Sequence, residues 1–77
     1  PSYADKIRKA VISKSKSLAK NPNKGQKEEL LKILEQGHRY LVVENHYKII
    51  YLVEEKKIIV TDVFDTRQNP EKMIKRH

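Results

Sequence analysis

Three runs of β-branched and aromatic residues lie between His38 and Pro70, each about one strand long and each followed by a polar turn. They restrict this chain to folds organised around an antiparallel meander. The runs are Tyr40 to Val43, Tyr47 to Val53 and Ile58 to Phe64, and the turns are Glu44-Asn45-His46 and Glu54-Glu55-Lys56-Lys57. Asn45 is suited to the left-handed backbone that a tight turn requires. A turn centred there sets Val43 opposite Tyr47, Val42 opposite Lys48 and Arg39 opposite Tyr51. Continuing through the second turn sets Lys48 opposite Val63 and Tyr47 opposite Phe64. One face then carries Arg39, Leu41, Val43, Tyr47, Ile49, Tyr51, Val53, Ile58, Val60, Asp62 and Phe64. The other carries Tyr40, Val42, Lys48, Ile50, Leu52, Ile59, Thr61, Val63 and Asp65. Both faces are mostly apolar, so both require cover.

Helices are the expected cover. Ala4, Ile7, Val11 and Leu18 recur at helical spacing from Tyr3 to about Ala19, with Ser2 as N-cap and lysines around the rest of the wheel. Asn21-Pro22-Asn23-Lys24-Gly25 breaks that helix, because proline disfavours helical geometry at the residue before it. A second helix is expected from Gln26 to Glu35, with Leu30, Leu31, Ile33 and Leu34 as its apolar side and Gly37 as its stop. After the sheet, Asn69-Pro70-Glu71 reads as a helix start and predicts a short helix to Arg76. The expected fold class is therefore α+β, one domain over 1–77, with 1–37 helical and 38–77 forming the three-stranded meander and C-terminal helix.

Composition excludes several functions. Without cysteine there is no disulfide framework, thiolate nucleophile or cysteine-based zinc site. With two glycines and no HExxH pair there is neither a phosphate-cradling loop nor a metalloprotease motif. No metal or cofactor is expected. No apolar run approaches the roughly 18 residues of a membrane span, and Pro1-Ser2 begins no signal peptide, so a cytoplasmic protein without membrane attachment is expected. The net charge of +7 over 77 residues favours acidic or polyanionic partners. Its placement is uneven: residues 1–37 hold nine Lys/Arg against four Asp/Glu, and residues 38–77 hold eight against six.

Arg39-Tyr40, Tyr47-Lys48-Ile49-Ile50-Tyr51, the run Ile58 to Phe64 and the ending Asp65-Thr66-Arg67 resemble the C-terminal half of the RelE/ParE superfamily of type II toxin-antitoxin toxins. Leu18, Asn21-Pro22 and Gly25 resemble that family's stretch between its second long helix and its sheet. The resemblance implies helices packed on a twisted antiparallel sheet, a toxic activity against the host, and a cognate antitoxin that wraps and neutralises the toxin. The helix from Tyr3 is expected to be the second arm of the family's helical hairpin, with the usual first strand and first helix not supplied by these residues. The helix from Tyr3 and one sheet edge are then expected to find cover in a homodimer or hetero-complex, with Ile7, Val11 and Leu18 in the contact.

The superfamily divides into RelE-like ribosome-dependent mRNA endonucleases and ParE-like inhibitors of DNA gyrase. Lys48 takes the place of the arginine that follows the central-strand tyrosine in RelE-like toxins, and Arg67 that of their arginine after the last strand. Tyr40 and Val42 stand where those toxins carry lysines, and Met73 stands where a C-terminal tyrosine is expected; methionine transfers no proton. This pattern favours the ParE-like branch, with no catalytic set required. The RelE-like reading is the alternative, with Lys48, Arg67 and the turn histidine His46 as candidate catalytic residues. Arg39, Lys48 and Arg67 are the candidate target-binding cations. His38 and His46 are expected to be solvated at strand ends and His77 mobile at the terminus. A basic nucleic-acid-binding or interaction module, using the lysine-rich first helix and exposed tyrosines, is the second alternative.

Overall fold

The computed structural model describes residues 3–77, and the expected cap Ser2 lies outside the described residues. The first helix, α1 (Tyr3–Lys20), forms where the apolar spacing predicts it, with Asp5 in its first turn and Lys20 in its last, both favourable to the helix dipole. It ends at Asn21, whose N–H is shared by the carbonyls of Ser17 and Leu18, and a single 3-10 turn over Pro22–Lys24 follows.

The expected second helix is replaced by two other elements. Gln26–Lys27 is a short strand, β1, and Glu29–Leu34 is a 3-10 helix that stops at Glu35 in the left-handed region, two residues before Gly37. The cause is tertiary. The Glu28 N–H donates to His38 O at 2.9 Å, which holds this segment extended along the next strand. The sheet therefore has four strands instead of three: β1, β2 (Arg39–Val43), β3 (Tyr47–Glu54) and β4 (Lys57–Asp65), antiparallel and in chain order.

The β2–β3 register is the expected one, with Val43 opposite Tyr47, Val42 opposite Lys48 and Arg39 opposite Tyr51. The β3–β4 register holds only near the turn, where Glu54 faces Lys57 and Tyr51 faces Val60. Between Ile50 and Tyr51 the ladder jumps, leaving Thr61 as an extra residue, so that Lys48 faces Phe64 and Tyr47 faces Asp65. A bulge of this kind exchanges the faces of every residue beyond it. Asp62 and Phe64 join the Lys48 face, and Val63 and Asp65 join the Tyr47 face, opposite to the expectation for all four.

Both faces receive cover. On the Lys48 face, the 3-10 helix and a C-terminal helix, α2 (Glu71–Arg76), close over a core of Leu31, Ile50, Phe64 and Met73, flanked by Leu34 and Tyr40. The short helix forms where expected, with Pro70 at the cap position in place of Asn69, whose Oδ1 accepts from the Glu71 N–H at 3.0 Å. The Tyr47 face lies under α1, which packs against β2 and β4, with Leu18, Val43, Ile49 and Tyr51 buried. Among the described residues no helix is long and apolar enough to cross a membrane.

Candidate functional site

Three cations were expected to serve a target, and the fold places them in three separate environments. Lys48 lies on the α2 side of the sheet. Its Nζ is 2.8 Å from Glu28 Oε2 and 4.3 Å from the centroid of the Tyr40 ring. The Glu28 side chain is only 3% exposed, and its other oxygen accepts from the Leu30 N–H at 3.2 Å, capping the 3-10 helix. A carboxylate taken this far from water requires a counter-charge. Lys48 supplies it, and its ammonium is committed there.

Arg39 lies on the opposite face and braces the break after α1. Its Nη1 donates to Gly25 O at 2.8 Å. Beside it the fully buried Tyr51 hydroxyl accepts from the Gly25 N–H and donates to Pro22 O, both at 2.9 Å. Gly25 is required here because a Cβ would meet the Tyr51 hydroxyl and stand 2.7 Å from Tyr40 O. The same pentapeptide that ends α1 is thus hooked to the sheet by Arg39 and Tyr51.

Arg67 stands at the other end of that face. Its Nε and Nη2 donate to the two oxygens of Asp65 at 3.0 and 2.9 Å, and its backbone N–H donates to Asp65 Oδ1 at 2.9 Å. These bonds hold the Asp65 carboxyl well below the usual carboxylate range, at about 2, and push the guanidinium pKa up. The Arg67 Nη2 also reaches the Tyr47 hydroxyl at 3.5 Å. Asp62 is on the other face and pairs with Arg76. Arg39 and Arg67 are separated along the sheet by the interval from Tyr51 to Tyr47, about 13 Å at 3.3 Å per residue. Lys48 is cut off from both by the sheet. No shared phosphate site forms among the three.

The histidines depart from expectation in part. His46 is exposed in its turn, and its carbonyl accepts from the Thr66 N–H at 2.7 Å and the Thr66 hydroxyl at 3.0 Å. His38 is buried, its Nδ1 has no hydrogen-bond partner among the described residues, and burial together with the neighbouring His77 ring pushes its pKa down. His77 is held rather than mobile. Its Nδ1 is 2.9 Å from Met73 O, its Nε2 is 2.9 Å from the Thr61 hydroxyl, and its ring meets His38 edge-on at 5.1 Å between centroids. Among the described residues no group of three or more His, Cys, Asp or Glu gathers as metal ligands would.

An apolar groove runs along α1. Ala4, Ile7, Val11 and Ile12 form one wall, and Tyr47 and Val63 form the floor. Tyr3 and Tyr47 meet at its end with ring centroids 6.0 Å apart, next to Arg67. Ile7 and Val11 are half-buried and available to a partner. Leu18 is not: it is 0% exposed inside the chain's own core, which corrects its expected place in a contact.

A family model described as the ParE toxin of the type II toxin-antitoxin system parDE matches residues 1–70. The chain belongs to the ParE toxin family. No curated protein and no solved structure matches it. Membership in the family agrees with the α+β sheet and helices described above, and it implies a cognate antitoxin partner in a type II module. Sequence reasoning missed Glu28, the carboxylate that engages Lys48. The available signal was Lys48 itself, a cation flanked by Tyr40, Val42 and Ile50 on an apolar face, which called for a nearby acid.

Proposed function

We propose that this ParE-family chain acts by binding a host target, DNA gyrase, rather than by cutting RNA, and that its antitoxin neutralises it by filling the groove along α1. The observation that carries this reading is the dispersal of Lys48, Arg39 and Arg67. Each is engaged by a different partner, and the Lys48 ammonium and Arg67 guanidinium are on opposite sides of the sheet. Ribonuclease chemistry needs cations and a proton-transfer group converging on one phosphate. Binding a protein target needs only a complementary surface.

An apolar antitoxin segment fits the groove at Ile7, Val11 and Ile12, with the half-exposed Tyr3 and Ile12 side chains as its largest contacts. Two assays test the reading together. The chain is expected to inhibit gyrase supercoiling of relaxed plasmid and to leave ribosome-programmed mRNA intact. Supercoiling that proceeds unhindered at micromolar chain, or mRNA cleavage abolished by Arg67→Ala, overturns it. For the antitoxin, Ile7→Asp is expected to abolish capture by the cognate partner while leaving the circular dichroism spectrum unchanged.

A further inference from the structure

We infer that the outer stripe of α1 is a binding surface for the phosphate backbone of duplex DNA. Between Lys6 and Lys27 the chain carries eight Lys/Arg and no Asp or Glu. On the helix these cations are not spread evenly. At 100° per residue, Lys9, Lys16 and Lys20 fall within about 40° of one another, with Lys6 and Ser13 on the flank, directly away from the side that carries the half-buried Ile7 and Val11 and the buried Leu18. Lys24 folds back from the following turn to put its Nζ 3.3 Å from Ser17 Oγ, on the last turns of the helix. Lys6 shares its charge with Glu44 at 3.5 Å, and Arg8 with Asp5 at 2.8 Å. Lys9, Lys16 and Lys20 have no ion pair among the described residues.

Two features select a polyanion over a protein. A protein interface centres on apolar or aromatic anchors, and none lies within this stripe. The row from Lys9 to Lys20 is straight and about 17 Å long at 1.5 Å per residue. A duplex presents a charge about every 1.7 Å of its axis, more than any acidic helix can offer. The absence of aromatic side chains on the stripe selects a duplex over a single strand. The only aromatic residue of α1, Tyr3, turns toward Tyr47 and gives unstacked bases no platform. The choice of DNA rests on the gyrase reading above, since that target holds duplex DNA.

The test is fluorescence anisotropy with a labelled 20-base-pair DNA duplex, in the absence of gyrase, across a salt series. Three to four phosphate contacts give a slope of about −3 for log K against log salt, and roughly a 60-fold loss of affinity between 50 and 200 mM salt. Lys9→Gln/Lys16→Gln/Lys20→Gln is expected to bring the slope close to zero. A control of equal charge change, Lys32→Gln/Lys72→Gln/Lys75→Gln, is expected to retain it. All six lysines are exposed, and the single variant Lys16→Glu, expected to lose at least tenfold at 50 mM salt, provides a second reading if a triple variant folds poorly. Equal losses in both triple variants, tighter binding to single-stranded DNA or to an RNA duplex, or equal competition by polyglutamate would each overturn the inference. Gyrase inhibition by a chain that ignores naked DNA refutes the stripe alone. DNA binding by a chain that leaves gyrase untouched refutes the gyrase reading alone.

Discussion

Replacing Glu28 by alanine is expected to destabilise the chain by about 3 kcal/mol, although Glu28 lies in neither the helix nor the meander that dominate the fold. Removing one member of a buried ion pair ordinarily costs roughly 3–5 kcal/mol, because the other charge is stranded. Here Lys48 keeps 20% of its side chain exposed and its ammonium can turn toward water, which places the ion-pair part at or below the low end of that range. The lost acceptor for the Leu30 N–H adds about 1 kcal/mol. A chain of 77 residues has roughly 4–12 kcal/mol in all, so this loss would lower the melting temperature by about 12–24 °C. The reverse deletion, Lys48→Met, is expected to cost more, because the Glu28 carboxylate has only 3% exposure and no route to water. The double variant Glu28→Leu/Lys48→Met should lie closer to wild type than either single one. Urea titrations followed by circular dichroism measure all three. A loss below about 0.5 kcal/mol for Glu28→Ala, or a double variant no better than its worse parent, would refute the argument that Glu28 holds the 3-10 helix on the sheet through Lys48.

Gly25→Ala is expected to lose roughly 2–4 kcal/mol by the same denaturation assay, since its Cβ meets the Tyr51 hydroxyl and the Tyr40 carbonyl, and Tyr51→Phe in that background should recover only part of it. The β3–β4 turn places Glu55 and Lys56 at φ 48° and 66°, so Glu55→Asn/Lys56→Gly is expected to raise stability by about 1 kcal/mol, visible as a higher melting temperature. The lowered pKa of His38 means that the unfolded chain takes up this proton first. Its contribution is complete above the ordinary imidazole pKa and is lost as pH falls below that value, and His38→Phe should flatten the stability slope between pH 7 and pH 5.

The parts of the fold legible in the sequence are those governed by local rules. The spacing of Ile7, Val11 and Leu18 located α1, Asn69-Pro70-Glu71 located α2, and the Asn45 turn set the β2–β3 register. Glu44 and Asn45 both take positive φ there. The parts that were not legible depend on contacts distant in sequence. Leu30, Leu31, Ile33 and Leu34 fit a helix on pattern, but the Glu28 bond to His38 and the Gly25 bond to Tyr51 hold the residues before them extended. The bulge at Thr61 was hidden because Ile58 to Phe64 is apolar in either phase, so no alternation marked the slip. At the candidate site, Lys48, Arg39 and Arg67 were named from the sequence and Arg39 was already set on the face opposite Lys48, whereas the place of Arg67 on the Arg39 face follows from that slip and the engagement of Lys48 from Glu28. The distance between legible residues and a legible site is the distance between chemistry and register.

The extra residue at Thr61 also decides how bulk is shared between the two sides of the sheet. Without it, Phe64 would project toward α1 and Val63 toward α2. With it, the aromatic ring goes to the side roofed only by a six-residue helix and a 3-10 turn, where a large side chain is needed to close a thin layer. The small valine goes beneath the 18-residue helix, where it leaves a gap between Tyr47 and Ile7 instead of a plug. The groove is therefore an inheritance of strand phase: one surplus amino acid on the last strand moves volume from one side of the molecule to the other and leaves a vacant berth along α1.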